Sequence, residues 1–115
     1  RHKRNHDALV AGLEGLGLAM LVAPEWRLPQ LNSVCIPDGI DDAAVRNTLL
    51  NDYNLEIGAG LGALAGKTWR IGLMGFASKA SNVILCITAL GTVLNQQGFD
   101  CNTNAALKAV ADRYV

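Results

Sequence analysis

The chain has 115 residues, half of them apolar, with ten basic and ten acidic side chains and a formal net charge of zero. That length fits a single domain with one core, and the composition is too apolar and too sparsely charged for disorder. A neutral chain also has no global attraction for nucleic acid or an anionic membrane surface.

In chain order, residues 1 to 15 predict a helix, because Ala8, Leu9, Leu13 and Leu16 recur at three- and four-residue steps. Gly15 and Gly17 are expected to stop it. The apolar run Leu18 to Val22 suits a strand, and Pro24 and Pro29 bracket a loop holding Trp26 and Arg27. Leu31 to Ile36 reads as a second strand, closed by the turn residues Pro37-Asp38-Gly39. Asp41 is a helix cap, and Asp42 sits in the first turn of a helix reaching about Asn51, with Val45, Leu49 and Leu50 on one face. Leu55 to Ile57 is a brief third strand, Gly58 to Gly66 a glycine-rich loop, and Thr68 to Leu73 a fourth strand.

Ser78 or Ser81 starts the longest helix, which ends near Gln97-Gly98. Its apolar heart, Val83 to Leu94, is well short of the roughly 20 residues of a membrane span, so a buried helix is expected. Asn102 or Thr103 caps a last helix from Asn104 to about Tyr114. The order predicts an α+β fold: a small, mostly antiparallel sheet of about four strands with helices packed on one face. The cysteines Cys35, Cys86 and Cys101 are odd in number and widely spaced, so they read as reduced thiols of a cytoplasmic compartment.

The glycine loop ends in Gly66-Lys67-Thr68, which invites a phosphate-loop reading. That motif needs glycine where Leu61 stands, and it opens a helix, whereas this loop runs into a strand. His2 and His6 share a helix face, but Lys3 and Arg4 beside them repel a cation, so no metal site is expected. The carboxylates Asp38, Asp41 and Asp42 are explained by turns and caps. Arg70 is different. On an extended strand it shares a face with Thr68 and Gly72, while Trp69, Ile71 and Leu73 point the other way, into a core. Room is thus left beside its guanidinium, whose planar donor fork matches a carboxylate bidentately. An ion pair with a structural acid such as Glu56 is the equal alternative.

Several segments carry a resemblance. Leu28-Pro29-Gln30-Leu31 with Val34-x-Ile36-Pro37, Ile57-Gly58-Ala59-Gly60-Leu61-Gly62 and, most specifically, Gly66-Lys67-x-Trp69-Arg70-Ile71-Gly72-Leu73-Met74-Gly75 are similar to class V pyridoxal-phosphate-dependent aminotransferases of the alanine–glyoxylate and serine–pyruvate type. The likeness runs through Asn82-Val83 to the last helix, and it covers only the C-terminal third of such an enzyme. It implies the small C-terminal domain of a fold-type I enzyme, residues 1–115 forming that one domain. It implies that Arg70 binds the α-carboxylate of an amino-acid or 2-oxo-acid substrate, with Gly60, Leu61 and Gly62 near the site entrance. It also implies a homodimeric parent with a large N-terminal domain carrying the pyridoxal 5'-phosphate lysine. Lys3, Lys67, Lys79 and Lys108 all stand outside that lysine's context, so no catalytic residue is expected in this chain and it is expected to be inactive alone. The basic start, Arg1 to His6, would then belong to a helix descending from the large domain, and part of the Val83 to Leu94 surface would face that domain. A stand-alone, non-catalytic binding module, or another reaction on the same scaffold, are the alternatives.

Overall fold

The computed structural model describes residues 2–21, 31–72 and 79–115. Helix α1, His2–Gly15, forms on the apolar spacing read above and buries Ala8, Leu9 and Leu13 along one side. Gly17 ends it in the left-handed region at φ +95°, and the Leu18 amide reaches back to the Leu13 carbonyl at 3.1 Å. Strand β1 is Leu31–Cys35, helix α2 is Asp42–Tyr53, and strand β2 is Gly58–Ala59. A single 3-10 turn, Gly62–Leu64, leads to strand β3, Thr68–Gly72. Helices α3, Ala80–Gln96, and α4, Thr103–Asp112, complete the described elements.

The helix starts follow side-chain capping. The Asp41 carboxylate accepts from the Ala44 amide and the Asn102 amide oxygen from the Ala105 amide, each at 3.0 Å. For α3 the cap position is Lys79, which makes no side-chain cap bond; Ser81 lies inside the helix. Ser78 as a cap, the loop between Pro24 and Pro29, and Leu73 as the end of a strand lie outside the described residues.

The sheet is antiparallel in the order β1-β3-β2. It has three strands among the described residues, one fewer than expected. The segment from Leu18 contributes an isolated bridge, Met20 opposite Val34, flanked by bonds from the Leu21 amide to the Ser33 carbonyl and from the Cys35 amide to the Ala19 carbonyl. The third strand also moves. Leu55 to Ile57 turns two apolar side chains into the core, and the pairing falls on Gly58–Ala59 instead, within the stretch read as loop.

All four helices and one face of the sheet share the core. Trp69 and Ile71 of β3 and Val34 of β1 belong to one buried cluster with Val45, Leu49, Ile87 and Leu90 from α2 and α3. Helix α3 is buried along Val83, Cys86, Ile87, Leu90, Val93 and Leu94, as expected of a buried helix, and Ile84 is its exposed large apolar residue. Where α1 meets α3 and α4 the approach is close. A Cβ on Gly12 would lie 2.6 Å from Ile87 Cγ1 and 2.7 Å from Val110 Cγ2. The two ends of the chain are tied by the Tyr114 hydroxyl, which donates to Asn5 Oδ1 at 2.6 Å.

Candidate functional site

Strand β3 is the centre of the sheet, so its outward side chains have a neighbour on each side. Directly opposite Arg70 stand Ser33 on β1 and Gly58 on β2. Side chains of paired antiparallel residues point the same way, so Ser33, Arg70 and Gly58 form one row across the face away from the helices. The Ile36 amide bonds to the Lys67 carbonyl, which places Ser33 and Arg70 at a non-hydrogen-bonded position, where paired Cα atoms are about 4.5 Å apart. The strand-face expectation is met on the other side: Trp69 and Ile71 are buried in the core while Arg70 is half-buried.

The guanidinium is held by backbone. Arg70 Nε donates to the Ala59 carbonyl oxygen at 2.8 Å. Among the described residues no carboxylate pairs with it, and Glu56 is exposed, so the alternative of a structural ion pair is not what forms. An arginine with Nε occupied keeps its two terminal nitrogens as a parallel donor pair, the arrangement that receives a carboxylate end-on.

The glycine loop begins one residue beyond that carbonyl. The Gly60 amide continues the β2 pairing by donating to the Thr68 carbonyl at 3.1 Å, and Gly60 is buried. Leu61 and Gly62 are exposed at the start of the 3-10 turn, with Gly62 at φ +56°. Thr68 is itself buried, and its hydroxyl has no partner among the described residues.

Behind the site, β3 is anchored through Trp69. Its indole Nε1 donates to Asp42 Oδ1 at 2.7 Å, and the same oxygen accepts from Arg46 Nε at 2.8 Å. These bonds, the Arg46 bond first, outweigh burial and hold the Asp42 carboxyl below the usual carboxylate range. In the sequence Asp42 is a favourable charge in the first turn of a helix; its bond to a residue 27 positions away has no local signal. The cysteines are all free, and burial pushes the Cys86 thiol up to about 12, which keeps it protonated and unreactive. No group of three or more metal-ligating side chains comes together among the described residues. No helix among them is long and apolar enough to cross a membrane.

No family model matches the chain. Individual proteins do. Over 99% of its length it is 37% identical to the (S)-ureidoglycine–glyoxylate transaminase of Bacillus subtilis, and the crystal structure of that enzyme superposes on 98% of the chain with a TM-score of 0.93. The structure of an alanine–glyoxylate aminotransferase from Nostoc sp. is 53% identical over 81% of the chain, with a TM-score of 0.78. That of a pyridoxamine–pyruvate aminotransferase from Mesorhizobium loti is 28% identical over 98%, with a TM-score of 0.92. The chain is homologous to the C-terminal portion of class V aminotransferases. It spans 25 to 29% of the length of these three structures.

Aminotransferases of this kind imply pyridoxal phosphate in the parent enzyme. The described residues do not by themselves make a site for it. Lys67 is exposed on the turn before β3, Lys79 is exposed at the start of α3, and Lys3 and Lys108 pair with Asp7 and Asp112 on α1 and α4. Among the described residues no acid is ion-paired with Arg70. What the described residues do offer is the Arg70 guanidinium on the central strand, held at Nε by the Ala59 carbonyl, with a planar donor pair of the kind that can receive a carboxylate.

Proposed function

We propose that this chain forms the substrate-carboxylate-binding domain of an aminotransferase that passes an amino group from alanine or serine to glyoxylate or a similar 2-oxo acid. Arg70 is the residue that holds the α-carboxylate. One observation carries the reading: Arg70 is fixed at Nε by the Ala59 carbonyl and has no acid beside it among the described residues, so its terminal nitrogens are preorganised for an incoming carboxylate. Both substrates of a transamination carry an α-carboxylate, so a single arginine serves both half-reactions. The relatives' names, with glyoxylate or pyruvate as acceptor, support a small 2-oxo acid. The groups that bind the cofactor belong, on this reading, to a large domain outside these residues, and the loop of Gly60, Leu61 and Gly62 borders the site.

The role is tested in the full-length enzyme. Charge-assisted hydrogen bonds are each worth roughly 1.5–3 kcal/mol, so Arg70→Ala is expected to raise KM for the amino donor and the oxo acid by about 100-fold. Cofactor absorbance should be retained. Arg70→Lys should recover only part of the loss, since a point charge cannot reproduce the planar fork. Unchanged KM values in Arg70→Ala would remove Arg70 from substrate binding. A panel of donors, alanine, serine and pyridoxamine among them, separates this reaction from others on the same scaffold.

A further inference from the structure

The glycines around Arg70 are required for unlike reasons. At Gly62 and Gly66 a Cβ would meet nothing within 4 Å, but both residues are left-handed, at φ +56° and +76°. At Gly60 a Cβ would fall 2.2 Å from the Leu64 carbonyl oxygen and 2.6 Å from Thr68 Oγ1, so the loop closes on β3 only without one. Gly58 has neither reason. Its φ is outside the left-handed region, and the three atoms nearest to an added Cβ all belong to Arg70: Nη2 at 3.3 Å, Cβ at 3.4 Å and Cζ at 3.5 Å. Glycine is a poor strand residue, and a β-branched one would pair better there. What its missing side chain leaves is the space in which the guanidinium lies against β2.

We infer that Gly58 is a positioning residue for carboxylate recognition, setting the tilt and reach of the Arg70 fork. The inference rests on the reading of Arg70 as the carboxylate partner. Two restraints act on one planar group. The Ala59 carbonyl holds its Nε edge at 2.8 Å, and the bare Cα of Gly58 lets the Nη2 side settle onto the strand. A methyl at position 58 presses on Nη2 while Nε stays tethered, so the plane pivots. A bidentate pair needs both N–H groups at about 2.7–2.9 Å from the two oxygens, and a pivot spoils one of them while the charge remains.

The test is steady-state kinetics of the full-length enzyme carrying Gly58→Ala, Gly58→Val, Arg70→Gln and the double variant Gly58→Ala/Arg70→Gln. A displacement of a few tenths of an ångström should raise KM for both the amino donor and the oxo acid about 3- to 10-fold in Gly58→Ala, and more in Gly58→Val, with kcat at saturating substrate held within about twofold. The thermal midpoint should not fall in Gly58→Ala, the smaller and fold-conserving change. In the Arg70→Gln background Gly58→Ala should have no further effect on KM, which is the signature of action through the guanidinium. If Arg70→Gln raises KM but neither Gly58 variant does, the positioning role is wrong and the carboxylate reading stands. If Gly58→Ala raises KM equally with and without Arg70, the effect is structural and the inference is overturned. If Arg70→Gln leaves KM unchanged, the carboxylate reading itself fails, and this inference with it.

Discussion

Trp69 and Arg70 are neighbours on β3 and are held by opposite means. Trp69 is wholly buried in the core cluster that also holds Val45, Leu49, Ile87 and Leu90, and its single polar atom is matched by Asp42. Arg70, on the other face, is held by a main-chain carbonyl and by the absence of a side chain at Gly58. The inner face is specified by volumes that exclude water; the outer face is specified by backbone atoms and by space kept free. A face built the first way gives stability. A face built the second way leaves donors unspent for a ligand.

The contrast is broken most severely from the inside. Trp69→Ala removes the largest fully buried side chain among the described residues and should destabilise the fold by about 3–5 kcal/mol, read from denaturant unfolding. Arg70→Ala, one residue along, should cost less than about 1 kcal/mol in the same measurement, because its guanidinium is half-buried and has one bond within the described residues. Comparable losses at the two positions would mean that Arg70 is structural. Next in size is Gly12→Ala. Alanine is favoured over glycine by up to about 1 kcal/mol inside a helix. Here its Cβ would come within 2.7 Å of both Ile87 and Val110, so overpacking of about 1–3 kcal/mol should outweigh the propensity and lower the melting temperature.

How far these two faces could be read from the residues follows the same division. The helices were legible because each buries a repeating face: Leu9 and Leu13 on α1, Val45 and Leu49 on α2, Ala106 and Val110 on α4. The caps Asp41 and Asn102 announce themselves by residue type. The side on which Arg70 lies also follows, from strand alternation alone. What could not be read is its anchor. Ala59 acts through a carbonyl that every residue has, and Gly58 through a side chain it lacks, so neither leaves a pattern. Gly-Ala has no strand propensity of its own; β2 forms because β3 offers it an edge. The register of β2 against β3 would have exposed both, and that register depends on the closure of Gly60 over Thr68, two residues brought together only by the fold.

The Asp42 anchor gives a smaller, pH-dependent test. Its carboxyl is held below the usual aspartate range chiefly by the bond from Arg46. A depressed folded value contributes stability that is full above the unfolded pKa and lost as pH falls through the folded one. Asp42→Asn keeps an acceptor for the Trp69 indole but gives up the charge, so near neutral pH it should cost on the order of 1 kcal/mol. Below about pH 4 the unfolded carboxyl takes up its proton first and the native one only at lower pH, so the gap between the two proteins should narrow as pH falls through that range. A gap that stays constant from pH 7 to about pH 3 would show that packing, not charge, sets the role of Asp42.

The smallest expected effect has the opposite sign and concerns a residue on the wrong side of the division. Asn32 is opposite Ile71 on β1, on the helix-facing side, and it is 2% exposed. Neither its amide oxygen nor its amide nitrogen has a partner among the described residues. A buried amide without partners costs about 1–3 kcal/mol in desolvation, whereas an apolar side chain of the same shape carries no such cost. Leucine is close to isosteric and matches the apolar character of Val34, two residues along the same face. Asn32→Leu should therefore raise stability by about 1 kcal/mol, a shift of a few degrees in melting temperature. Arg70 lies on the opposite face of the sheet, so KM should not move with it. A fall in stability would show that the Asn32 amide is satisfied in the folded protein. A change in KM would show that the two faces of this sheet are coupled, against the division argued from Trp69 and Arg70.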